Sequence, residues 1–314
     1  MQFYKDQDIM EVYSMKDAMK DVKETLIHLN EGKVKTPERT VIPVDEENVM
    51  LYMPSIDTET LYSSIKIISI YPNNKEKALP ATQAVSVITE LDSGKNVATL
   101  EASYLTRLRT GSMTGLATAI QARKDAKTLG IIGTGGMAFE QALGVLEVRD
   151  IEKIILFNRT ESKAYEFKEK LINFGVKAQI EVANNVDALT KASDIINTAT
   201  NSREAVFNHA HLKKGVHVNG LGTYMPHMRE INEETIKEAH HVIFDDKEAV
   251  IIEAGEFIHA VETGDFSWDQ PIALKDMIDT TIERNDESIT IFKSVGAAYY
   301  DMSVAVGAYK KLNS

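Results

Sequence analysis

The stretch Leu129-Gly130-Ile131-Ile132-Gly133-Thr134-Gly135-Gly136-Met137-Ala138 decides the fold. A short apolar run feeds G-x-G-x-x-A, and helical spacing follows from Met137 to Leu146. Gly133 permits a tight turn, Gly135 lets backbone approach a pyrophosphate, and the small Ala138 lets the helix pack close to the sheet with its N-terminus facing negative charge. The hexapeptide alone is weak, because a plain glycine turn also matches it. A strand before it, a helix after it and a second strand at Lys153 to Phe157 favour dinucleotide binding, with Gly133, Thr134, Gly135, Gly136 and Met137 as the contacts.

Downstream, Ala178 to Val182, Asp194 to Ala199, Val216 to Asn219 and His241 to Phe244 read as further short buried strands, with helical segments such as Ser162 to Phe174 between several of them. Strand and helix in alternation mean an α/β fold, a parallel sheet wound on both faces. Upstream, an amphipathic helix over Met15 to Leu29 stops at Glu31-Gly32. It precedes β-rich runs at Val49 to Met53, Ile65 to Ile70 and Ala84 to Leu91, broken by Pro72-Asn73-Asn74 and Asp92-Ser93-Gly94. That pattern predicts an α+β lobe. Ser288 to Tyr309 reads as a strand and then a helix.

Where the second strand of the nucleotide domain ends, an acid ordinarily accepts the adenosine ribose hydroxyls of NAD. Phe157-Asn158-Arg159-Thr160 stands there instead. Arg159 can neutralise a 2′-phosphate, with Asn158 and Thr160 adding hydrogen bonds, so NADP is preferred to NAD. A solvated arginine at a strand end is the alternative.

The 314 residues carry 35 Lys plus Arg against 47 Asp plus Glu, a net charge of −12. That excess repels phosphate backbones and anionic lipid, and no basic run offsets it, so neither nucleic acid nor a membrane is an expected partner. With no cysteine there is no disulfide, thiolate metal site or iron–sulfur cluster, and redox work needs a cofactor. MQFYKDQDIM lacks a signal-peptide pattern, and a cytoplasmic location is expected.

A second constellation lies upstream: Arg39 after Thr36-Pro37-Glu38, Lys66 inside Ile65 to Ile70, and Arg109 in Leu105-Thr106-Arg107-Leu108-Arg109-Thr110-Gly111. A lysine in an apolar run is costly unless paired, and burial can bring its pKa into the acid–base range. Otherwise it snorkels from an edge strand. Arginines near a nicotinamide suit bidentate capture of a carboxylate. Other candidates read more blandly. The eight histidines form no H-E-x-x-H and read as surface or capping groups, and no metal site is expected. Asp245-Asp246 with Glu248 reads as solvated acids at a strand end, Met10, Met15 and Met19 as core filler, and Phe292, Tyr299 and Tyr300 as packing residues.

Taken in order, Lys66 with Tyr71-Pro72-Asn73-Asn74, Leu105-Thr106 with Arg109-Thr110-Gly111, the Gly133-Thr134-Gly135 loop, and Phe292-Lys293-Ser294-Val295-Gly296 with Asp301 resemble the ornithine cyclodeaminase and mu-crystallin family over nearly the whole chain. The resemblance implies a homodimer. It also implies a Rossmann-type dinucleotide-binding domain, 113–289, inserted in an α+β substrate and dimerisation domain, 1–112 plus 290–314. By the same resemblance Arg39, Lys66 and Arg109 hold a substrate carboxylate, Lys66 nearest the reacting nitrogen. Thr110, Val295 and Gly296 lie near the nicotinamide, and Thr198 and Thr200 line the cofactor.

The sequence departs from the family at one loop. Cyclodeaminases proper carry an aspartate after the strand matching Val216 to Asn219, where this chain has Gly220-Leu221-Gly222-Thr223-Tyr224-Met225-Pro226. Tyr224 takes the aspartate's place at the substrate, and a neutral phenol does not pair with a distal ammonium as a carboxylate does. The activity implied is hydride transfer between NAD(P) and the α-carbon of a small α-imino or α-amino acid, with Lys66 and Arg109 as catalytic groups. A ketimine or cyclic-imine reductase or an amino-acid dehydrogenase fits. Two alternatives stand beside it: conversion of L-ornithine to L-proline and ammonia with bound NAD, and a binding protein that keeps the nucleotide pocket without catalysis.

Overall fold

The computed structural model describes residues 1–278, 280 and 282–314, and within its helices and strands every side chain but that of residue 75. The chain forms two compact units, 1–109 with 297–314, and 110–296.

The first unit is built on seven strands: β1 (Gln2–Tyr4), β2 (Val34–Lys35), β3 (Thr40–Pro43), β4 (Val49–Asp57), β5 (Tyr62–Ile70), β6 (Thr82–Glu90) and β7 (Asn96–Glu101). Their order is β1-β7-β6-β5-β4-β2, with β3 also on β4, and every pairing but β1 with β7 is antiparallel. The helix Met15–Asn30 starts where its cap dictates: Asp17 N donates to Ser14 Oγ at 3.2 Å and Ser14 N donates to Asp17 Oδ2 at 3.1 Å. It packs against the helix Ala298–Leu312, which also lies across β4, β5 and β6. Side chains alternate across a strand, so one face of the sheet buries Met53, Ser55 and Asp57 on β4, Ser64 and Lys66 on β5, and Ser86 and Ile88 on β6. Met10 departs from its expected place in the core and is 46% exposed. It sits on a separate short helix, Asp6–Val12, whose one buried residue is Ile9, so it does not share the helical phase of Met15 and Met19.

Among the described residues the second unit holds eight strands: β8 (Thr128–Ile132), β9 (Lys153–Phe157), β10 (Gln179–Val182), β11 (Ile195–Thr198), β12 (His217–Gly220), β13 (His241–Phe244), β14 (Ile272–Ala273) and β15 (Thr290–Lys293). They pair in parallel in the order β10-β9-β8-β11-β12-β15-β13-β14. Leu129, Ile131, Ile154 and Leu156 enter one apolar core, while Ile132, Ile155, Ile196 and Val218 enter another. Alternation places the two cores on opposite faces, which is why the strands read as unbroken apolar runs. Winding reverses between β8 and β11, the position at which open α/β sheets hold ligands beyond the carboxyl ends of their strands.

Strand β15 corrects the expected domain boundary at 290. Thr290–Lys293 lies in this second sheet between β12 and β13, with all four residues buried. The residues of a lone strand do not name the sheet that receives it, and only the helix after it joins the first unit. Among the described residues no helix is long and apolar enough to cross a membrane.

Candidate active site

Lys66 occupies an interior strand, paired with Met53 on β4 and Ser86 on β6, so it does not snorkel from an edge. Its side chain, 3% exposed, places Nζ 2.7 Å from Asp301 Oδ2. Asp301 comes from the helix Ala298–Leu312, which covers that face of the sheet. Arg109 Nε donates to the other oxygen, Asp301 Oδ1, at 3.2 Å. Half-buried Arg39 adds its charge to both Lys66 and Asp301. Three cations thus gather on one carboxylate, leaving positive charge for an anionic ligand.

Burial pushes the Lys66 ammonium down, Asp301 draws it up, and Arg109 and Arg39 press it down again, to about 8. For Asp301, burial works upward, but Lys66 and Arg109 outweigh it and hold the carboxyl below the ordinary aspartate value.

In the second unit, Gly133 leaves β8 with φ +91°, and a Cβ there would stand 2.6 Å from Ala199 O, so the turn requires glycine. Gly133 N donates to Phe157 O at 2.9 Å, and Thr134 N to Asn158 Oδ1 at 3.1 Å. Gly135 and Gly136 are exposed, with open space where side chains would stand, and the helix Ala138–Leu146 begins just behind them and half-buried Met137. A pyrophosphate fits that cradle. Asn158 is committed to the turn, since its Nδ2 also donates to Thr160 O at 2.9 Å, whereas Arg159 and Thr160 lie exposed at the end of β9.

Thr198 ends β11 and donates Oγ1 to Asn219 O at 3.3 Å; Thr200 follows half-buried. Thr110 is buried directly after Arg109 on the helix Ser103–Gln121, its carbonyl accepting Thr114 Oγ1 at 2.8 Å. Tyr224 is 40% exposed in the loop after β12, and burial of part of the ring pushes its phenol up, keeping it neutral.

Val295 and Gly296 follow β15 and are held by a residue misread from its neighbours. Asp245, expected among solvated acids, is buried and accepts Ser294 Oγ at 2.7 Å, Val295 N at 3.1 Å and Gly296 N at 2.7 Å on Oδ2. Burial pushes its carboxyl up, against the pull of Ser294 and the Gly296 amide. Pairing of β13 with β15 puts the acid beside that loop, a neighbour that no local pattern reveals.

Two histidines also differ from the expected surface role. His28 is buried with Nδ1 2.8 Å from Asp57 Oδ2. His217 is fully buried on β12, donating Nε2 to Asn219 Oδ1 at 3.0 Å, with Nδ1 3.0 Å from Thr290 Oγ1. Burial lowers its pKa to about 3, so it is a neutral structural group. Among the described residues no three His, Asp or Glu side chains gather as a metal site. Lys293, Glu256 and Glu230, none singled out by its local sequence as a functional group, are buried beneath the loops after β11 and β12.

A family model for the ornithine cyclodeaminase/mu-crystallin family matches residues 2–314. The chain belongs to that family. It is 40% identical over 88% of its length, and 86% of the relative's, to a Δ1-pyrroline-2-carboxylate reductase of Bacillus cereus. A solved Δ1-pyrroline-2-carboxylate reductase of Thermococcus litoralis, in complex with NADH and L-proline, shares 33% identity and a TM-score of 0.93 over 99% of this chain and 97% of that one. An archaeal alanine dehydrogenase dimer with bound NAD shares 27% identity and a TM-score of 0.91 over 99% and 95%.

Proposed function

We propose that the protein is an NAD(P)-dependent oxidoreductase that reduces a small cyclic α-imino acid of the Δ1-pyrroline-2-carboxylate class to the corresponding α-amino acid. The observation that carries this reading is Lys66, buried in the middle of a sheet against Asp301 with Arg109 and Arg39 beside it. The two arginines hold the substrate carboxylate, and Lys66 Nζ stands at the substrate nitrogen. With its pKa near 8, Lys66 is an ammonium at neutral pH and gives the nitrogen its proton; in the reverse direction the neutral amine takes that proton back. Asp301 holds the ammonium in place between turnovers. Imino acid, NAD(P)H and one proton give amino acid and NAD(P)⁺, so atoms and charge balance.

A bound nicotinamide supplies or accepts the hydride. Gly133, Thr134, Gly135, Gly136 and Met137 would hold the pyrophosphate of the dinucleotide, Thr110, Val295 and Gly296 would lie near its nicotinamide, and Thr198 and Thr200 would line the cofactor. NADPH is preferred to NADH on the strength of exposed Arg159 and the lack of an acid at the end of β9. The two pyrroline-2-carboxylate reductases support the substrate class, and the dimeric alanine dehydrogenase supports a homodimer. A cytoplasmic location belongs to the same reading.

The test is purified protein with Δ1-pyrroline-2-carboxylate and each nucleotide, followed by loss of nicotinamide absorbance. Ammonia and proline formed from ornithine without added nucleotide would favour the cyclodeaminase instead. Segment 220–226 argues against that outcome, since it holds no acid to meet a second amine. Tight nucleotide binding without turnover across a panel of imines would favour a binding protein.

A further inference from the structure

Beyond Leu221 N, which donates to Thr198 O at 3.1 Å, the backbone ladder between β11 and β12 ends. One buried side chain continues it. Glu230 accepts Thr200 N on Oε1 at 2.5 Å and Gly222 N on Oε2 at 2.8 Å, one oxygen for each chain segment. The segments touch there, because a Cβ built on Gly222 would overlap the Thr200 backbone. Next to Glu230 lie the other two buried charges. Lys293 Nζ donates to Thr223 O at 2.7 Å and Thr223 Oγ1 at 2.6 Å, and stands 2.9 Å from Glu256 Oε1. Thr223 Oγ1 in turn donates to Glu256. Lys293 on β15 and Glu256 on the helix Gly255–Glu262 are the charged groups that act on Glu230.

We infer that Glu230 is a positioning residue: it sets the spacing between the Thr198–Thr200 segment and the Gly222–Tyr224 segment, so that the proposed cofactor wall and the tyrosine that replaces the cyclodeaminase aspartate move as one piece. The functional part of this role rests on the nucleotide and imine reading proposed for the protein. Two N–H donors converge on a single side chain, and only a carboxylate offers each of them an acceptor. Glutamine keeps one acceptor and turns an NH₂ against the second donor. Aspartate keeps both acceptors but is one methylene short. A buried N–H left without its partner costs enough to release one of the two segments.

The experiment compares Glu230→Gln, Glu230→Asp and Gly222→Ala with the wild-type chain. Amide exchange at Thr200 and Gly222, read by mass spectrometry without any ligand, should accelerate at least about tenfold in Glu230→Gln, the equivalent of one lost hydrogen bond. With Δ1-pyrroline-2-carboxylate, kcat/KM should fall by about tenfold or more while the Kd for NADPH rises by less than that factor, since the Gly133–Met137 turn keeps its own hydrogen bonds to Phe157 and Asn158. Glu230→Asp should fall between Gln and wild type. Gly222→Ala, whose added Cβ forces the same two segments apart, should reproduce the split between kcat/KM and Kd, and Glu230→Asp, which keeps the charge, decides the matter if Glu230→Gln does not fold. Wild-type exchange and kinetics in Glu230→Gln would overturn the inference. A wild-type protein that binds neither NADPH nor NADH would overturn the nucleotide reading and this role with it, and that failure is distinct because the exchange comparison needs no nucleotide.

Discussion

Lys66 Nζ stands 2.7 Å from Asp301 Oδ2, and the pair is buried between a sheet and the helix laid across it. Burial lowers the lysine to about 8, so its proton is present at neutral pH and lost just above it. Imine reduction should therefore hold level up to about pH 8 and decline beyond it, while amino-acid oxidation rises through the same range. Lys66→Met should abolish both directions and leave nucleotide binding intact. Initial rates from neutral to alkaline pH check this, and a flat reduction profile there would remove Lys66 from proton transfer.

Asp301→Asn leaves Lys66 and Arg109 gathered around a neutral amide. Breaking a buried ion pair from one side costs about 3–5 kcal/mol, so chemical denaturation should show a large loss of stability. Lys66 also loses the group that draws its pKa up, and the alkaline limb of reduction should move below about 8. An unmoved limb would show that Asp301 does not govern the lysine.

Arg159→Ser tests the nucleotide preference. A charge-assisted contact to a 2′-phosphate contributes about 1.5–3 kcal/mol, so the Kd for NADPH should rise roughly ten- to hundredfold while that for NADH barely changes. Equal effects on the two nucleotides, by fluorescence titration, would return Arg159 to the role of a solvated strand-end arginine.

His217 gives an acid limb to stability. Its ordinary value is 6.5 and burial lowers it to about 3 in the fold, so between those values the unfolded chain binds more protons. Stability contributed by the neutral ring is complete above the ordinary value and falls as the medium is acidified toward the folded one. From neutral pH to about pH 5 the loss should reach up to about 2 kcal/mol, and His217→Gln should flatten that part of the profile. Matching slopes in denaturation curves across that range would contradict it.

Much of the nucleotide unit was legible because its strands carry their own apolar runs and the glycine turn its own steric demands. Thr128 to Ile132, Lys153 to Phe157 and His241 to Phe244 match the observed strands to the residue. Lys66 was legible as a charge inside an apolar run. Lys293, following Ile291-Phe292, carries the same pattern, yet its partners Glu256 and Thr223 are 37 and 70 residues away in sequence. Asp245 was misread for the same reason: its local neighbours are acids and a strand end, while its hydrogen bonds go to a loop brought close by β15. Periodicity reports which face of an element is covered. It does not report what covers it.

Arg109 and Asp301 meet at 3.2 Å although 192 residues separate them in the chain. Closing so long a loop adds only a logarithmic entropy cost, but contacts of such sequence separation form slowly. During refolding the antiparallel run β4-β5-β6-β7, paired between neighbours in sequence, should therefore form before the cationic cluster. Until the last helix docks, Lys66 remains in water as an ordinary ammonium. Recovery of catalysis after dilution from denaturant should thus lag behind recovery of secondary structure.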